Sequence, residues 1–329
     1  MARVLSGVQP SGEVHLGNYL GALRPWVADQ HDHEAFYCVV DLHALSQDYD
    51  PAVLADRTVA AAALLLAVGL DPSVCTLFVQ SHVPEHPRLA WLLECTATFG
   101  ELRRMTQFKD KTGGESEASV RVGLFTYPVL QAADILLYDA ERVPVGEDQR
   151  QHLELTRDIA IRFNHRLGDT FVVPDAAVPT VAARVMDLQE PTRKMSKSVS
   201  SPLGTIGVLD PPEEIDRKVR RAVTDTEAAV VYDPAARPGV SNLLELLGAA
   251  TGEAPATLAE RYSAYGPLKA DVSAALVELL APVQARYGEL AADPPSVRAV
   301  LRDGAAKAHA VAAVTLERAM TAAGLLAAG

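Results

Sequence analysis

A short positive loop lies past the middle of the chain, in the stretch PTRKMSKSVSSP at residues 191 to 202. Lys194 and Lys197 are three residues apart among serines, just after a proline. Two lysines on a mobile loop suit a negative charge that develops only in a transition state, because they can move in during the reaction. The plain alternative is a solvated linker, and taken alone this lysine loop would favour that alternative.

A second stretch, VQPSGEVHLGNYLGAL at residues 8 to 23, strengthens the catalytic interpretation of the lysine loop. It follows a predicted strand, contains Gly12 and Gly17, and begins a helix, so free backbone N–H groups and a positive helix end would face an anion. His15 and Asn18 are three residues apart and can share one side of the helix start. The spacing is not that of the GxGxxG dinucleotide fingerprint. An ordinary turn, with Ser11 as the helix cap, remains the alternative.

The elements that must hold these two stretches alternate between strands and helices. The apolar runs RVLSG, AFYCVVDL, CTLFVQS and ERVPVGED have the length of strands, and segments of helical periodicity separate them. This order predicts a parallel sheet with right-handed crossovers and a ligand site beyond the carboxyl ends of the strands. After about Asp187 helices dominate. We therefore predict an α/β fold, with a Rossmann-like parallel-sheet catalytic domain over residues 1–190 and a helical domain over 191–329.

Composition limits the classes of protein to which the chain can belong. The 329 residues carry a net charge of −12, which argues against a nucleic-acid coat protein but not against a local basic face. Cys38, Cys75 and Cys95 form no CxxC pair, and HDHE at residues 31 to 34 lacks further ligands at metal spacing. No apolar run reaches the length of a membrane span, and no signal core follows the N-terminus. We expect a cytoplasmic protein with no resident metal and no membrane association.

Several motifs together resemble a known family. HLGN is similar to the HIGH element, and KMSKS matches the signature loop, of the class I aminoacyl-tRNA synthetases. Around them SGVQPSGEVHLGNYLGAL, VDLHAL, GELRRMTQFKDK, TYPVLQAADILLY and VPVGEDQRQHLELTRDIA occur in the order and spacing of bacterial tryptophanyl-tRNA synthetases. The resemblance runs from residue 3 almost to the C-terminus. It implies a tryptophan–tRNA ligase whose substrates are L-tryptophan, ATP with Mg²⁺ and tRNA(Trp), and which acts as a homodimer.

The resemblance also implies which residues bind ATP and stabilise the leaving pyrophosphate. Lys194 and Lys197 would bind the β- and γ-phosphates, and Lys111 would add a third positive charge. The full set of expected ATP-site residues is Gln9, Pro10, Ser11, His15, Gly17, Asn18, Gly146, Glu147, Asp148, Val185, Lys194, Met195, Ser196, Lys197 and Ser198.

For tryptophan, the resemblance implies that Asp134 accepts the indole N–H. The whole expected pocket is Leu5, His43, Tyr127, Gln131, Asp134, Val143, Val145 and Gln149. Asp134 could instead be a capped or paired helix aspartate, although a lone carboxylate among apolar neighbours needs a partner. His43 is equally well explained as a satisfied core histidine. Leu5 and Gln131 stand where some family members carry phenylalanine and methionine, which bears on fine selectivity.

Two rival functions share much of this pattern. The sister enzyme for tyrosine has the same fold and loop, but VQPSG and GEDQ argue against it, and we expect no appended RNA-binding domain in a chain of this length. A noncatalytic paralogue is the second rival, and the intact Lys194, Lys197, Asn18 and Asp134 argue against it. For tRNA contacts the sequence offers only a weak candidate, the basic residues Arg217, Lys218, Arg220 and Arg221 of one predicted helix.

Overall fold

The structure is a computed structural model, and it describes residues 1–105, 120–144, 146, 149–177, 185–196, 201–227 and 229–326. The site predictions at Lys111, Val145, Glu147, Asp148, Lys197 and Ser198 lie outside these described residues.

The centre of the fold is a five-stranded sheet in the order β3-β2-β1-β4-β5, with every pair parallel. Its strands are β1 Arg3–Val8, β2 Glu34–Val39, β3 Thr76–Val79, β4 Arg142–Pro144 and β5 Asp175–Ala177. This confirms the predicted parallel α/β sheet. The strand order reverses direction between β1 and β4, and in such sheets ligands bind in the crevice beyond the carboxyl ends at that point.

Helices of the first part of the chain connect these strands and flank the sheet. They are α1 Leu16–Asn18, a π-helical turn Tyr19–Leu23, α2 Arg24–Asp29, α3 Asp41–Ala44, α4 Pro51–Ala67, α5 Glu85–Glu94, α6 Phe99–Arg103, α7 Val122–Leu136 and α8 Arg150–Leu167. Two predicted strands are shorter than expected. AFYCVVDL leaves the sheet after Val39 and turns into α3, and CTLFVQS leaves it after Val79 for a 3₁₀ turn, Gln80–His82. Both early endings place polar side chains at the carboxyl edge of the sheet.

Helices alone were identified after residue 190 within the described part of the chain. They are α9 Pro212–Arg220, α10 Pro238–Thr251, α11 Pro255–Ala259, α12 Tyr265–Ala292 and α13 Pro294–Ala322. This agrees with the predicted change of pattern. The basic helix α9 departs from expectation, because Lys218 is buried and its Nζ lies 2.6 Å from Asp210 Oδ2. Arg217 is paired with Glu214, so the basic residues do not form one solvated face.

Two apolar cores lie on opposite faces of the sheet, and each contains residues from both halves of the chain. One core contains Leu65 together with Leu243 and Leu276, and the other contains Phe78 together with Ala308. The long C-terminal helix α13 packs directly on β3. A Cβ at Gly304 would come within 1.8 Å of the Leu77 carbonyl oxygen, so only glycine permits this approach. The domain boundary at residue 190 stays a prediction.

Candidate active site

A cavity opens at the carboxyl edge of the sheet, at the reversal between β1 and β4. Its volume is about 490 Å³, and we call it the main cavity. Its wall consists of Leu5, Ser6, Gly7, Gln9, Ala22, Trp26, Cys38, Val40, His43, Tyr127, Gln131, Asp134, Ile135, Val143, Pro144, Gly146 and Gln149. The structure therefore brings together every described residue that the sequence assigned to the tryptophan pocket, together with Gln9 and Gly146 from the ATP set.

Asp134 is the buried carboxylate of the main cavity. It lies on α7 with only 4% of its surface exposed. Oδ1 accepts hydrogen bonds from Gln80 Nε2 at 2.7 Å and His86 Nδ1 at 2.6 Å, and Oδ2 accepts one from His43 Nε2 at 2.7 Å. Burial alone would raise the pKa of Asp134, but His43 and His86 outweigh burial and hold that pKa well below its ordinary value. The carboxylate is therefore ionised, although it is buried.

Asp134 and His43 each have a buried polar partner, and each also lines the main cavity. Asp134 is a paired helix aspartate, as its apolar neighbours require, and it also lines the main cavity. His43 is a satisfied buried histidine on α3, yet its ring lies edge-on to Tyr127, with centroids 6.3 Å apart, on the cavity wall.

Gln80, His86 and Tyr138 complete the Asp134 network, and sequence reasoning missed all of them. Gln80 begins the 3₁₀ turn after β3, and its Oε1 also accepts from the Leu42 backbone N–H at 3.1 Å. His86 Nε2 lies 2.8 Å from the Tyr138 hydroxyl. The available signal was the polar run QSHVPEH directly after a buried strand, which parallel-sheet topology sends to the ligand edge.

The HxGN segment, residues 15–18, forms its own helix cap. His15 Nδ1 accepts from the Asn18 backbone N–H at 3.2 Å, and the Asn18 side chain accepts from the His15 N–H at 3.4 Å. The N-cap of α1 is therefore His15 and not Ser11, the cap in the alternative interpretation. A Cβ at Gly17 would lie 3.0 Å from the His15 ring and 3.7 Å from Met195, so glycine allows both to approach closely.

The described start of the lysine loop, residues 191–196, approaches the HxGN segment through Met195. Met195 is buried, and its N–H donates to the Val185 carbonyl at 3.0 Å, while Lys194 pairs with Met186 in an isolated bridge and is exposed. The chain that follows the loop makes a backbone hydrogen bond to the HxGN segment. Leu16 N–H donates to the Ile206 carbonyl at 2.8 Å.

The remaining described ATP-set residues lie close to the same edge of the sheet. Gln9, Pro10 and Ser11 line a small cavity of about 70 Å³, and Gln9 also lines the main cavity. Ser196 is half-buried on the lysine loop. The polar loop after β1 leads into the start of α1, and Met195 of the lysine loop lies next to Gly17 there, an arrangement able to hold a polyphosphate chain next to the main cavity.

Comparison with known proteins identifies the family. The model for class I tRNA synthetases of tryptophan and tyrosine matches residues 1–281. The chain belongs to this family. Tryptophan–tRNA ligase 1 of Streptomyces coelicolor is 57% identical over 329 residues, which cover 99% of this chain and 98% of that protein. The resemblance predicted from the motifs is confirmed.

Solved structures of bacterial tryptophanyl-tRNA synthetases have the fold of this synthetase. The enzyme from Mycoplasma pneumoniae aligns with a TM-score of 0.91 and 37% identity, over 99% of this chain and 98% of that one. The enzyme from Campylobacter jejuni, in complex with ADP and tryptophan, aligns with a TM-score of 0.86 and 33% identity, over 98% and 100%. No helix among the described residues is long and apolar enough to cross a membrane.

Proposed function

We propose that this synthetase is a tryptophan–tRNA ligase that uses the main cavity for L-tryptophan. A carboxylate oxygen of tryptophan attacks the α-phosphorus of ATP. The bond between the α-phosphorus and the oxygen that bridges to the β-phosphate breaks, and pyrophosphate leaves. A ribose hydroxyl at the end of tRNA(Trp) then attacks the carbonyl carbon of the adenylate, and AMP leaves. The ionised Asp134 on the cavity wall is the observation that carries the choice of substrate, because indole offers a donor and no acceptor.

Chemistry of this kind needs charge stabilisation rather than a strong base. The tryptophan carboxylate is already ionised at neutral pH, so activation depends on positioning and on the charge that builds up on pyrophosphate. We assign the stabilisation of that negative charge to Lys194, Lys197 and Lys111. The neighbourhood of Gly17 supports this assignment, because a Cβ there would lie 3.7 Å from Met195, the residue that follows Lys194. Mg²⁺ would arrive with ATP and neutralise phosphate charge.

The wall of the main cavity supports the residue roles that the family resemblance implies around tryptophan. We assign the indole N–H to Asp134, the amino group to Tyr127 and Gln149, and the side-chain walls to Leu5, His43, Gln131, Val143 and Val145. Burial in the cavity raises the pKa of Tyr127 to about 12, so its hydroxyl stays neutral throughout the working pH range.

On the nucleotide side, we assign ATP contacts to the residues that surround the HxGN segment and the lysine loop. These are Gln9, Pro10, Ser11, His15, Gly17, Asn18, Gly146, Glu147, Asp148, Val185, Met195, Ser196 and Ser198. The neighbourhood of Gly17 and Met195 supports this assignment.

The decisive experiment is amino-acid-dependent exchange between ATP and pyrophosphate with all twenty amino acids. We expect exchange with tryptophan and at most weak exchange with tyrosine or phenylalanine. Exchange driven chiefly by tyrosine would instead identify the sister enzyme, and no exchange with any amino acid would identify a noncatalytic paralogue. Transfer of labelled tryptophan to tRNA(Trp) then tests the second step.

We also propose that the synthetase is a homodimer, because an apolar face remains open beside the active site. Trp91 is 66% exposed, Phe99 70% and Val122 75%, and the Phe99 ring packs on Phe125 with centroids 4.9 Å apart. Light scattering should give twice the chain mass, and Trp91→Glu should shift the mass towards a monomer. Ile161→Glu, at an exposed apolar position on α8, is the matched control and should remain dimeric. A monomeric wild type at micromolar concentration would refute the dimer.

We infer further that the enzyme acts in the cytoplasm, where its tRNA and ATP are found. Cell fractionation followed by immunoblotting tests this, and recovery in the membrane fraction would refute it.

A further inference from the structure

His86 lies behind Asp134 and takes no part in the wall of the main cavity. Its side chain has no exposed surface, and its two ring nitrogens contact Asp134 and Tyr138. We propose that His86, oriented by Tyr138, is a positioning residue for tryptophan selectivity, because it leaves Asp134 one acceptor position for a ring N–H. This inference rests on the proposed function, since it concerns how the same carboxylate recognises its substrate.

The acceptor positions of Asp134 are almost all occupied. A carboxylate has about four lone-pair positions. Gln80 and His86 fill those of Oδ1, and His43 takes one of the two on Oδ2. His43 lines the main cavity whereas Gln80 and His86 do not, so Oδ2 is the oxygen on the cavity side. One acceptor position therefore remains, and it belongs to the oxygen that can face the substrate.

Asp134 determines which nitrogen of His86 carries hydrogen, and Tyr138 holds the other nitrogen. An ionised carboxylate accepts only, so His86 must donate from Nδ1, and in the neutral ring Nε2 then accepts from the Tyr138 hydroxyl. Tyr138 is fully buried, and its ring stacks on Phe36 with centroids 4.7 Å apart. Tyr138 follows Asp134 by four residues, in the turn just beyond α7, so the aspartate and the histidine's second partner come from one short stretch of backbone.

Loss of His86 should impair selectivity more than general binding. Without its hydrogen bond, Oδ1 has an unfilled position, and the carboxylate can turn away from the orientation that exposes Oδ2. A tryptophan analogue with sulfur in place of the ring N–H, β-(3-benzothienyl)alanine, has nearly the same shape but no donor. The ratio of kcat/KM for tryptophan to that for the analogue therefore reports the Asp134 acceptor and largely cancels effects of shape.

The test measures this ratio by pyrophosphate exchange, together with the KM for ATP, in four variants. A hydrogen bond to a charged group corresponds to a ratio of roughly 10 to 150 in the wild type. We expect His86→Leu to lower the ratio about tenfold and Tyr138→Phe to lower it a few-fold, with an unchanged KM for ATP. His86→Asn, which restores an N–H donor near the Nδ1 position, should recover most of the ratio.

Tyr37→Phe is the matched control. Tyr37 is also fully buried, but its side chain lies in the other apolar core from Tyr138, and its hydroxyl donates one hydrogen bond, to the backbone carbonyl of Trp26 at 2.8 Å. This variant loses a comparable bond and should keep the wild-type ratio. If His86→Leu does not fold, as judged by circular dichroism, Tyr138→Phe and His86→Asn decide the matter.

The outcomes separate this inference from the proposed function. Equal losses on tryptophan and the analogue in the His86 and Tyr138 variants would give His86 a purely structural role and overturn the inference. His86→Asn behaving like His86→Leu would overturn it as well. A wild type with no tryptophan-dependent exchange would refute the proposed function itself. If the wild type uses tryptophan and the analogue equally well, the proposed enzyme activity stands, but Asp134 is not the acceptor of the indole N–H and the inference is overturned.

Discussion

Replacing Asp134 by asparagine tests the assignment of the pocket with almost no change in volume. In the wild type two carboxylate oxygens face donors from Gln80, His86 and His43, and the indole N–H would be the fourth. An amide has one oxygen only. If that oxygen stays with Gln80 and His86, the NH₂ group meets the His43 N–H and the substrate N–H, donor against donor.

The size of the effect follows from one lost bond to a charged acceptor in a buried site. Such a bond contributes about 1.5–3 kcal/mol, which corresponds to a decrease of roughly 10- to 150-fold in kcat/KM for tryptophan. The KM for ATP should stay within about twofold, because the HxGN segment and the lysine loop keep their contacts. Asp134→Ala should lose more, since it also leaves three buried donors without an acceptor, and competition by phenylalanine or tyrosine should become detectable.

The assay is pyrophosphate exchange at varied tryptophan and varied ATP, with thermal unfolding measured alongside. Asp139→Asn is the matched control, since Asp139 is one turn beyond Asp134, pairs with Arg318 at 2.6 Å and lies outside the main cavity. Its positive φ of 47° is one that asparagine tolerates well. If Asp134→Asn keeps wild-type efficiency and selectivity for tryptophan, or if it raises the KM for ATP as much as that for tryptophan, the assignment of Asp134 is refuted.

Other predictions concern the lysine loop, tRNA binding and acid stability. Lys197→Ala should lower the activation rate by on the order of 10²–10³ with nearly unchanged tryptophan affinity; equal losses in equilibrium binding and in turnover would show that the lysine acts on the ground state. Neutralising Arg220 and Arg221 together should flatten the salt dependence of tRNA binding measured by filter binding, and an unchanged slope would move the site elsewhere. The Arg162 guanidinium holds the pKa of Glu101 down to about 2, so this carboxylate stabilises the fold above pH 4.5 and loses that contribution as the pH falls towards 2. Glu101→Gln should therefore cost about 1 kcal/mol in urea unfolding at pH 7 and progressively less at lower pH, whereas a cost independent of pH would exclude the ion pair as its source.

The sequence predicted the framework because its signals are local and repeated. Apolar runs of strand length between helical segments predict a parallel sheet, and a parallel sheet places its ligands at the carboxyl edge. The motifs around Lys194 and His15 then identified the family, and the family resemblance predicted a set of pocket residues. Every described member of the predicted tryptophan set lies on the wall of one cavity.

The tertiary structure alone decided which polar side chains pair with one another. Lys218 looks like a solvated lysine on a basic helix, yet it is buried against Asp210, eight residues earlier in the chain. The sequence predicts His15 as an ATP contact, and in the fold its side chain also caps the start of α1. The Lys218 pairing does not follow from residue spacing, because it depends on how the loop before α9 returns to that helix, whereas the His15–Asn18 cap has the three-residue spacing of a capping box.

The Asp134 network shows the same division most clearly. The sequence determined that a lone carboxylate on an apolar helix must find partners, because an unpaired buried charge is too costly. It could not determine that those partners would be Gln80, His86 and His43, which lie 54, 48 and 91 residues away along the chain. Hydrophobic periodicity acts along one element and is visible in the sequence. Hydrogen bonds between distant residues have directions and short distances that exist only once the strands are side by side.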